Sequence, residues 1–487
     1  MQEVLWRISR LKKKLKNRIN KLISLAEEMG LDFFDVNFEV VPYEVMLEVT
    51  SYGLPTRARH WSYGKSYDYQ KISGEMGFSK IYEIVLNNDP SYAFLLDTNS
   101  DIANTMVAAH VFGHSAFFKN NYLFKKTDRK MVYQAAARAQ RIEDYIEKYG
   151  LEYVEHIMDM GFALDKHIDW HKGTYRELYG KKETVFKKRR AGEFSDILKN
   201  KNNGTLKEVI VNENFPPHPE HDVLWFLINY GDLNECQKDI LSIIREESFY
   251  FYPQYYTKIM NEGFASFIHA ELMYKFDDIS PAEHLDFCKI HEKVVQPGSN
   301  RLNINPYFLG FTIFSKIKEE WDKKHENGES DINGLQKIYS IVETEDDISF
   351  VHNYLTQEIV DDLGMFSYVK IYDKVKGTYI EVESNKVEDV AEGISSTIYN
   401  YRVPLISIEG ATKDSLELKH HTSHIGTLDV THLEVVMEYI RELWGAGIID
   451  LESIDSLGEV VHYTYDELGF SHDAGFRLVQ PKIDISF

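Results

Sequence analysis

Two histidines four residues apart carry the first chemical signal: His110-Val111-Phe112-Gly113-His114. On a helix this spacing places both imidazoles on one face, where they can reach a single ion. Met106, Val107 and Phe117 extend that face as apolar surface, so both rings are expected to point inward. A buried imidazole needs a partner for each ring nitrogen, and a metal ion supplies one. Two histidines packed in a core leave the same spacing. Further along, Glu262, Ser266 and His269 share one helical face, and the small residues Gly263 and Ala265 permit close approach of another helix. Glu262 is the expected third ligand, since two histidines and one carboxylate leave an open coordination position. A capping or salt-bridged glutamate would read the same way.

Zinc peptidases place two histidines and a glutamate on one helix as H-E-x-x-H, the glutamate serving as general base. Here Val111 holds that position, and valine takes no proton. The candidate base is Glu246 or Glu247, within Arg245-Glu246-Glu247-Ser248 on a predicted helix. Arg57 and His60 lie in a donor-rich loop with Trp61, Ser62 and Lys65. That loop is either a surface turn or a means of steadying an anionic group or oxyanion. His167 and His171 repeat the four-residue spacing near an expected helix end. His420, His421, His424 and His432 surround an expected strand end, where alternation sends His420 and His421 to opposite faces. Cys236 and Cys288 read as packing residues, and two cysteines exclude a disulfide framework or an all-cysteine metal cage.

The elements that must position these groups follow from hydropathy patterning. Residues 38–50 are rich in Val, Phe and Tyr and predict one or two strands. Lys80 to Leu86 and Ser91 to Leu96 predict strands about the turn Asn87-Asn88-Asp89-Pro90. A helix is then expected from about Asp101 to Phe118, with Thr98, Ser100 and Asp101 as candidate caps. Helices are expected at about 221–230, 234–251 and 255–276, with Pro253 separating the last two. The polar stretch 181–208 reads as an insertion. Beyond about residue 365, two expected hairpin strands about Lys376-Gly377, a helix near 385–396, strands near 403–408 and 415–420, a helix Thr431–Leu443 and a strand Val460–Tyr465 predict a small α+β domain. The expected organisation is a basic amphipathic helix over 1–30, a core domain over 31–360 and a C-terminal α+β domain over 361–487. The expected class is α+β: a mainly helical N-terminal domain with a small antiparallel sheet, a divergent zincin-like core, and the C-terminal domain.

Charge bounds the partners. The 487 residues include 55 Lys and Arg against 77 Asp and Glu, a net charge of −22. Residues 1–26 hold eight basic residues against Glu3, so that segment carries +7 and the remainder −29. An acidic body argues against nucleic acid as the main partner. The basic segment either meets an anionic membrane surface weakly or docks on its own acidic protein. No apolar run is long enough for a membrane span, and no secretory leader is visible; a reducing, cytoplasmic location is expected. With 28 Phe, 31 Tyr and 6 Trp the chain can bury a large core.

A series of blocks in order gives the chain a resemblance. They include Tyr52-Gly53-Leu54-Pro55-Thr56-Arg57 with His60-Trp61-Ser62-Tyr63-Gly64-Lys65, Ser79-Lys80-Ile81-Tyr82-Glu83, and Tyr92-Ala93-Phe94-Leu95-Leu96-Asp97. The histidine block runs on into Phe117-Phe118-Lys119-Asn120-Asn121. Arg245-Glu246-Glu247, Lys258-Ile259-Met260-Asn261-Glu262-Gly263, Asn305-Pro306-Tyr307 and Asp347-Ile348-Ser349-Phe350 follow. From about Leu31 to Leu443 the sequence resembles the stage V sporulation protein R (SpoVR) family. The resemblance implies a role connected with the spore cortex, a peptidoglycan layer. In bacteria without spores it implies stress physiology beside a PrkA-type serine kinase and a von Willebrand factor A-like protein. It also implies that the His110/His114 pair without a helix glutamate is a family trait. The leading expectation is a metal-dependent hydrolase. His110, His114 and Glu262 would hold a divalent ion, zinc by preference, Glu246 or Glu247 would be the base, and Arg57 and His60 would steady the substrate. The other expectation is a non-catalytic adaptor acting with the kinase.

Overall fold

The computed structural model describes residues 13–75, 83–179, 215–297, 304–373, 377–422, 428–445, 447–455 and 458–477. The expected insertion 181–208, residues 1–12 and His424 lie outside the described residues. The chain divides into two compact units. Unit 1 takes residues 1–162, 239–403 and 482–487, and unit 2 takes 163–238 and 404–481. This division differs from a boundary near residue 361, because the joins depend on pairings distant in sequence.

Unit 1 begins, among described residues, with α1 (Lys13–Glu28). Its apolar stripe, Leu15, Ile19, Leu22 and Ala26, is buried. Arg18, also buried, donates to both carboxylate oxygens of Glu283 at 2.9 and 3.0 Å and to the Asp278 carbonyl at 2.9 Å. The described part of the basic segment thus spends its apolar side and an arginine inside the unit.

Next come β1 (Val36–Val41), β2 (Glu83–Leu86) and β3 (Ser91–Leu96). They form one sheet in the order β1-β3-β2. Strand β2 runs antiparallel to β3, but β1 runs parallel to it, with Val36 opposite Ser91 and Val41 opposite Leu96. The sheet is therefore mixed rather than antiparallel. The expected second strand near Val45 is a helix, Tyr43–Tyr52. Pro42 at its N-cap ends strand pairing, and Gly53 closes the helix at φ 74°, a conformation that favours glycine.

The site helix α2 (Asp101–Asn120) follows, with Ser100 capping it by accepting from the Ala103 amide. Residues 102–118 of α2 are all buried, so this helix is the axis of the unit rather than an amphipathic cover. Helix α3 (Glu235–Tyr256) runs through Pro253, which was expected to break it. The hydroxyl of Thr257 donates to the Pro253 carbonyl at 2.7 Å just past the helix end. Then come α4 (Lys258–Lys275), α5 (Pro281–Val294) and α6 (Pro306–Glu326). Glycines let these helices nearly touch. A Cβ at Gly113 of α2 would stand 2.6 Å from the Ala265 Cα of α4, and one at Gly263 of α4 would stand 2.4 Å from the Gly310 Cα of α6. The hairpin β4 (Ser367–Asp373) and β5 (Gly377–Ser384), with the helix Val387–Ile398, belongs to unit 1.

Unit 2 holds a five-stranded sheet in the order β10-β9-β8-β7-β6. Its strands are β6 (Leu405–Ala411), β7 (Ser415–His421), β8 (Ile448–Ile454), β9 (Glu459–Asp466) and β10 (Gly469–Arg477), with α7 (Val430–Trp444) between β7 and β8. Glu220 exchanges backbone hydrogen bonds with Ile408 of β6 at 3.0 and 2.8 Å, which ties the 163–238 segment to this sheet. The class is α+β. No helix among the described residues is long and apolar enough to cross a membrane.

Candidate metal centre

His110 and His114 sit mid-helix on α2 with ring centroids 4.6 Å apart. Both are buried, at 4% and 6% exposure. Glu262 enters from the second turn of α4, its Oε2 lying 3.4 Å from His114 Nε2 and 3.7 Å from His110 Nε2. Glu83, at the first position of β2, brings Oε1 to 3.8 Å from His110 Nε2. The three side chains expected to converge do so, and Glu83 joins them. One ligand atom from each of Glu83, His110 and His114 lies within 4.8 Å of the others, so this buried group could hold a metal ion. Neighbouring ligands on a tetrahedral zinc with bonds of about 2.0–2.1 Å are about 3.3 Å apart, close to the separations here.

The donor set fits a cation on a second count. His110 Nε2 and Glu262 Oε2 are buried without a hydrogen-bond partner. Orphaned polar atoms of this kind are costly in an interior, and two that face each other across 3.7 Å mark a place for a third species. The opposite ring nitrogens are held. His114 Nδ1–H donates to Asn261 Oδ1 at 2.8 Å, which leaves His114 Nε2 a lone pair. With the His110 Nε2 lone pair kept free, His110 Nδ1–H donates to His269 Nδ1 at 3.0 Å. His269 Nε2–H then donates to His291 Nδ1 of α5 at 2.7 Å. With that tautomer the row of imidazoles holds the His110 ring in place, as outer partners of metal-binding histidines do.

Asp347 sets the height of Glu262. Its buried carboxylate accepts from the Ile259 and Met260 amides at 2.7 and 2.8 Å, anchoring the start of α4. Burial raises the Asp347 carboxyl well above its ordinary range, against the lowering pull of those two amides.

Electrostatics separate the two glutamates. Burial pushes Glu83 up to about 7, with His114 opposing and Glu262 reinforcing the shift. Burial also works to raise Glu262, but contact with His110 and His114 holds it well below the usual carboxylate range. His110 is pushed down to about 4, chiefly by burial. His114 is raised, because Glu262, Asn261 and Glu83 together outweigh its burial. Beside the cluster lies a cavity of about 350 Å³ whose walls include Glu83, His110, His269 and Tyr307. Burial, with Glu262 and Glu83 nearby, keeps the Tyr307 hydroxyl protonated.

The remaining candidates are engaged elsewhere. Arg57 donates from Nε to Glu247 Oε2 at 2.7 Å, and its guanidinium lies over the rings of Tyr63, Phe162 and Phe251. Arg138 pairs with Glu246. His60 Nδ1 meets Ser62 Oγ at 2.7 Å, and its Nε2 lies 3.2 Å from Asp159. His60 is lowered, first by burial and against the pull of Asp159. His167 and His171 fall past the helix that ends at Leu164, so no helical face joins them. His420 bonds Ser453 of β8 at 2.9 Å and His421 bonds Ser407 of β6 at 2.7 Å, while His432 is exposed. Both cysteines are free thiols. Glu83 and Asp347 are the groups that sequence reasoning missed. A glutamate opening a strand just before the site helix was the available signal for the first. The second leaves only an acidic residue at another helix's start.

The pattern of the family described as SpoVR like protein matches residues 9–403, a span that includes every group of the cluster. "Uncharacterized protein YcgB" of Escherichia coli (strain K12) is 28% identical over 462 residues, covering 87% of this chain and 89% of that one. No solved structure matches. With most of its length matched, the chain belongs to the SpoVR like protein family.

Proposed function

We propose that this protein is a metal-dependent hydrolase whose divalent cation, zinc by the chemistry of the donors, is held by His110, His114 and Glu262. The observation that carries this reading is the pair of buried, unpartnered atoms, His110 Nε2 and Glu262 Oε2, set among two further ligand-type side chains. When bound, the ion supplies Lewis acidity and lowers the pKa of a water. The chain's own residues supply the rest. Asn261 and the His269–His291 row orient the imidazoles. Glu83 both borders the cavity and reaches the cluster, so it is the carboxylate placed to take up and return a proton at Oε1. Glu246 and Glu247, the bases expected from the sequence, are committed to arginines instead. The Tyr307 hydroxyl is a neutral donor at the same wall. An amide in a cell-wall precursor is the reaction partner that the family's name suggests. Elemental analysis of the purified full-length chain tests the first step: one equivalent of metal is expected, and none would end this reading.

The second reading is an adaptor that works with a serine kinase of PrkA type and a von Willebrand factor A-like protein. One observation favours it: Val111, fully buried, fills the place of the usual helix base. Complementation separates the two. Full rescue of a deletion phenotype by folded His110→Ala and Glu262→Ala proteins would favour the adaptor.

A further inference from the structure

The cavity beside the cluster has a chemical polarity that bears on its occupant. Its inner wall includes Met106 and Val107, exposed by only 4% and 1%, next to Glu83 and His110. Lys293, in contrast, is an exposed residue that also lines the cavity, which places it at the open rim. It sits in the last turn of α5, two residues after the buried His291. The backbone there is pinned: Asn305 Nδ2 donates to the carbonyls of Val294 and Gln296 at 3.0 and 2.9 Å. The same Asn305 accepts from the Tyr307 amide at 3.0 Å, so one side chain ties the rim to the inner wall. Lys293 forms no ion pair among the described residues, whereas Lys316, Lys318, Lys323 and Lys324 on the next helix each have an acidic partner. Lys293 thus sets a cation at the mouth of this pocket, in a chain of net charge −22.

We infer that the cavity takes a compact ligand with two polar ends, a metal-binding carbonyl-type group at the histidine cluster and an anionic group, carboxylate or phosphate, at Lys293. This inference rests on the metal reading above. About 350 Å³ is at the small end of ligand pockets, which suits one short apolar stretch between the two ends, lying along Met106, Val107 and Val294. The ammonium would bind its anion as a charge-assisted hydrogen bond and offset the repulsion an anion meets near Glu83 and Glu262.

Three hydroxamates test the assignment by calorimetry on the zinc-loaded full-length protein at low ionic strength. Acetohydroxamate has no charged tail, succinic monohydroxamate has a carboxylate tail, and 3-phosphonopropionyl hydroxamate has a phosphonate tail. At least one tailed probe is expected to bind roughly three- to tenfold more tightly than acetohydroxamate. Lys293→Gln should remove that advantage, Lys293→Arg should keep it, and neither should change acetohydroxamate binding. The tighter tailed probe identifies carboxylate or phosphate chemistry. Equal binding of all three probes, or an advantage that survives Lys293→Gln, overturns the inference and leaves the metal reading standing. So does a protein with stoichiometric zinc that binds no hydroxamate. A protein that takes up no zinc overturns both.

Discussion

Glu220 in unit 2 and the half-buried Glu83 in unit 1 are both drawn out of water, and the two are handled in opposite ways. In unit 2 the Glu220 side chain is fully buried and fully satisfied. Arg176 and Tyr179 both donate to it, the Asp222 amide donates at 2.8 Å, and Lys172 lies 3.1 Å away. Burial alone would raise its pKa, but these partners bring it down to about 2. In unit 1 no arginine or lysine is paired with Glu83 among the described residues, and its pKa is pushed up to about 7. The same side chain is thus a clamp in one place and a poised group in the other. Completeness of partners distinguishes them: a structural charge has its hydrogen bonds supplied by the fold, whereas a site leaves some for a visitor. The histidines differ in grouping rather than in partners alone: His420 Nε2 and His221 Nδ1 of unit 2 also lack a hydrogen-bond partner, but only His110 Nε2 stands among two glutamates and a second histidine.

The largest expected effect is on metal content. His114→Ala should lower zinc affinity by roughly a thousandfold or more, read by elemental analysis after dialysis, while His421→Ala should leave it unchanged. Equal losses in the two variants would erase the distinction between the histidine groups. On the structural side, Glu220→Ala removes a fully buried carboxylate from half-buried Arg176 and should cost about 3 kcal/mol in denaturant unfolding. Its pH signature follows from a folded pKa below the ordinary value near 4.5. The stabilisation is complete above about pH 4.5 and is lost as pH falls towards 2, so the variant should lack that acid limb.

A smaller effect is expected one step out from the cluster. His269→Ala removes the acceptor that orients His110 and should weaken zinc binding about 10- to 100-fold without unfolding the protein, measured by competition with a chelator. The smallest concerns Glu83 in metal-free protein. Because its folded pKa lies above the ordinary value, its protonated form is favoured in the fold. Its contribution is fully present below about pH 4.5 and is lost as pH rises through 7, the reverse of Glu220. Glu83→Gln should therefore raise metal-free stability at pH 8 by about 1–2 kcal/mol and leave it unchanged at pH 4. A variant no more stable at pH 8 would place Glu83 with the satisfied carboxylates.

Particular elements show how far local pattern reaches. The strand Ser91–Leu96 and the helix from Asp101 match expectation because the Asn87–Pro90 turn, the apolar run and the Ser100 cap are all encoded within a few residues. The segment near Val45 was misread as strand because β-branched and aromatic residues only report a buried environment, and Pro42 and tertiary packing decide for helix. Strand β10 carries no strong local signal and is held by pairing with β9, whereas β8, with alternate residues buried, pairs with both β7 and β9.

By itself, the sequence determined that His110 and His114 share one face, since a helical period of 3.6 residues leaves no other arrangement. It also determined that Val111 cannot act as a base and that metal ligands must come from histidine and carboxylate, because only two cysteines are available. The sequence singled out Glu262 as the carboxylate to face those histidines, and tertiary structure alone decided which other one joins it. In a linear chain nothing ranks Glu83 above Glu246 or Glu247. What separates them is that arginines from distant segments neutralise Glu246 and Glu247, while β2 and the glycine-lined contact between α2 and α4 bring Glu83 and Glu262 to the imidazoles. A carboxylate's role depends on what lies within a few ångströms of it, and that distance is set by contacts between residues far apart in the chain.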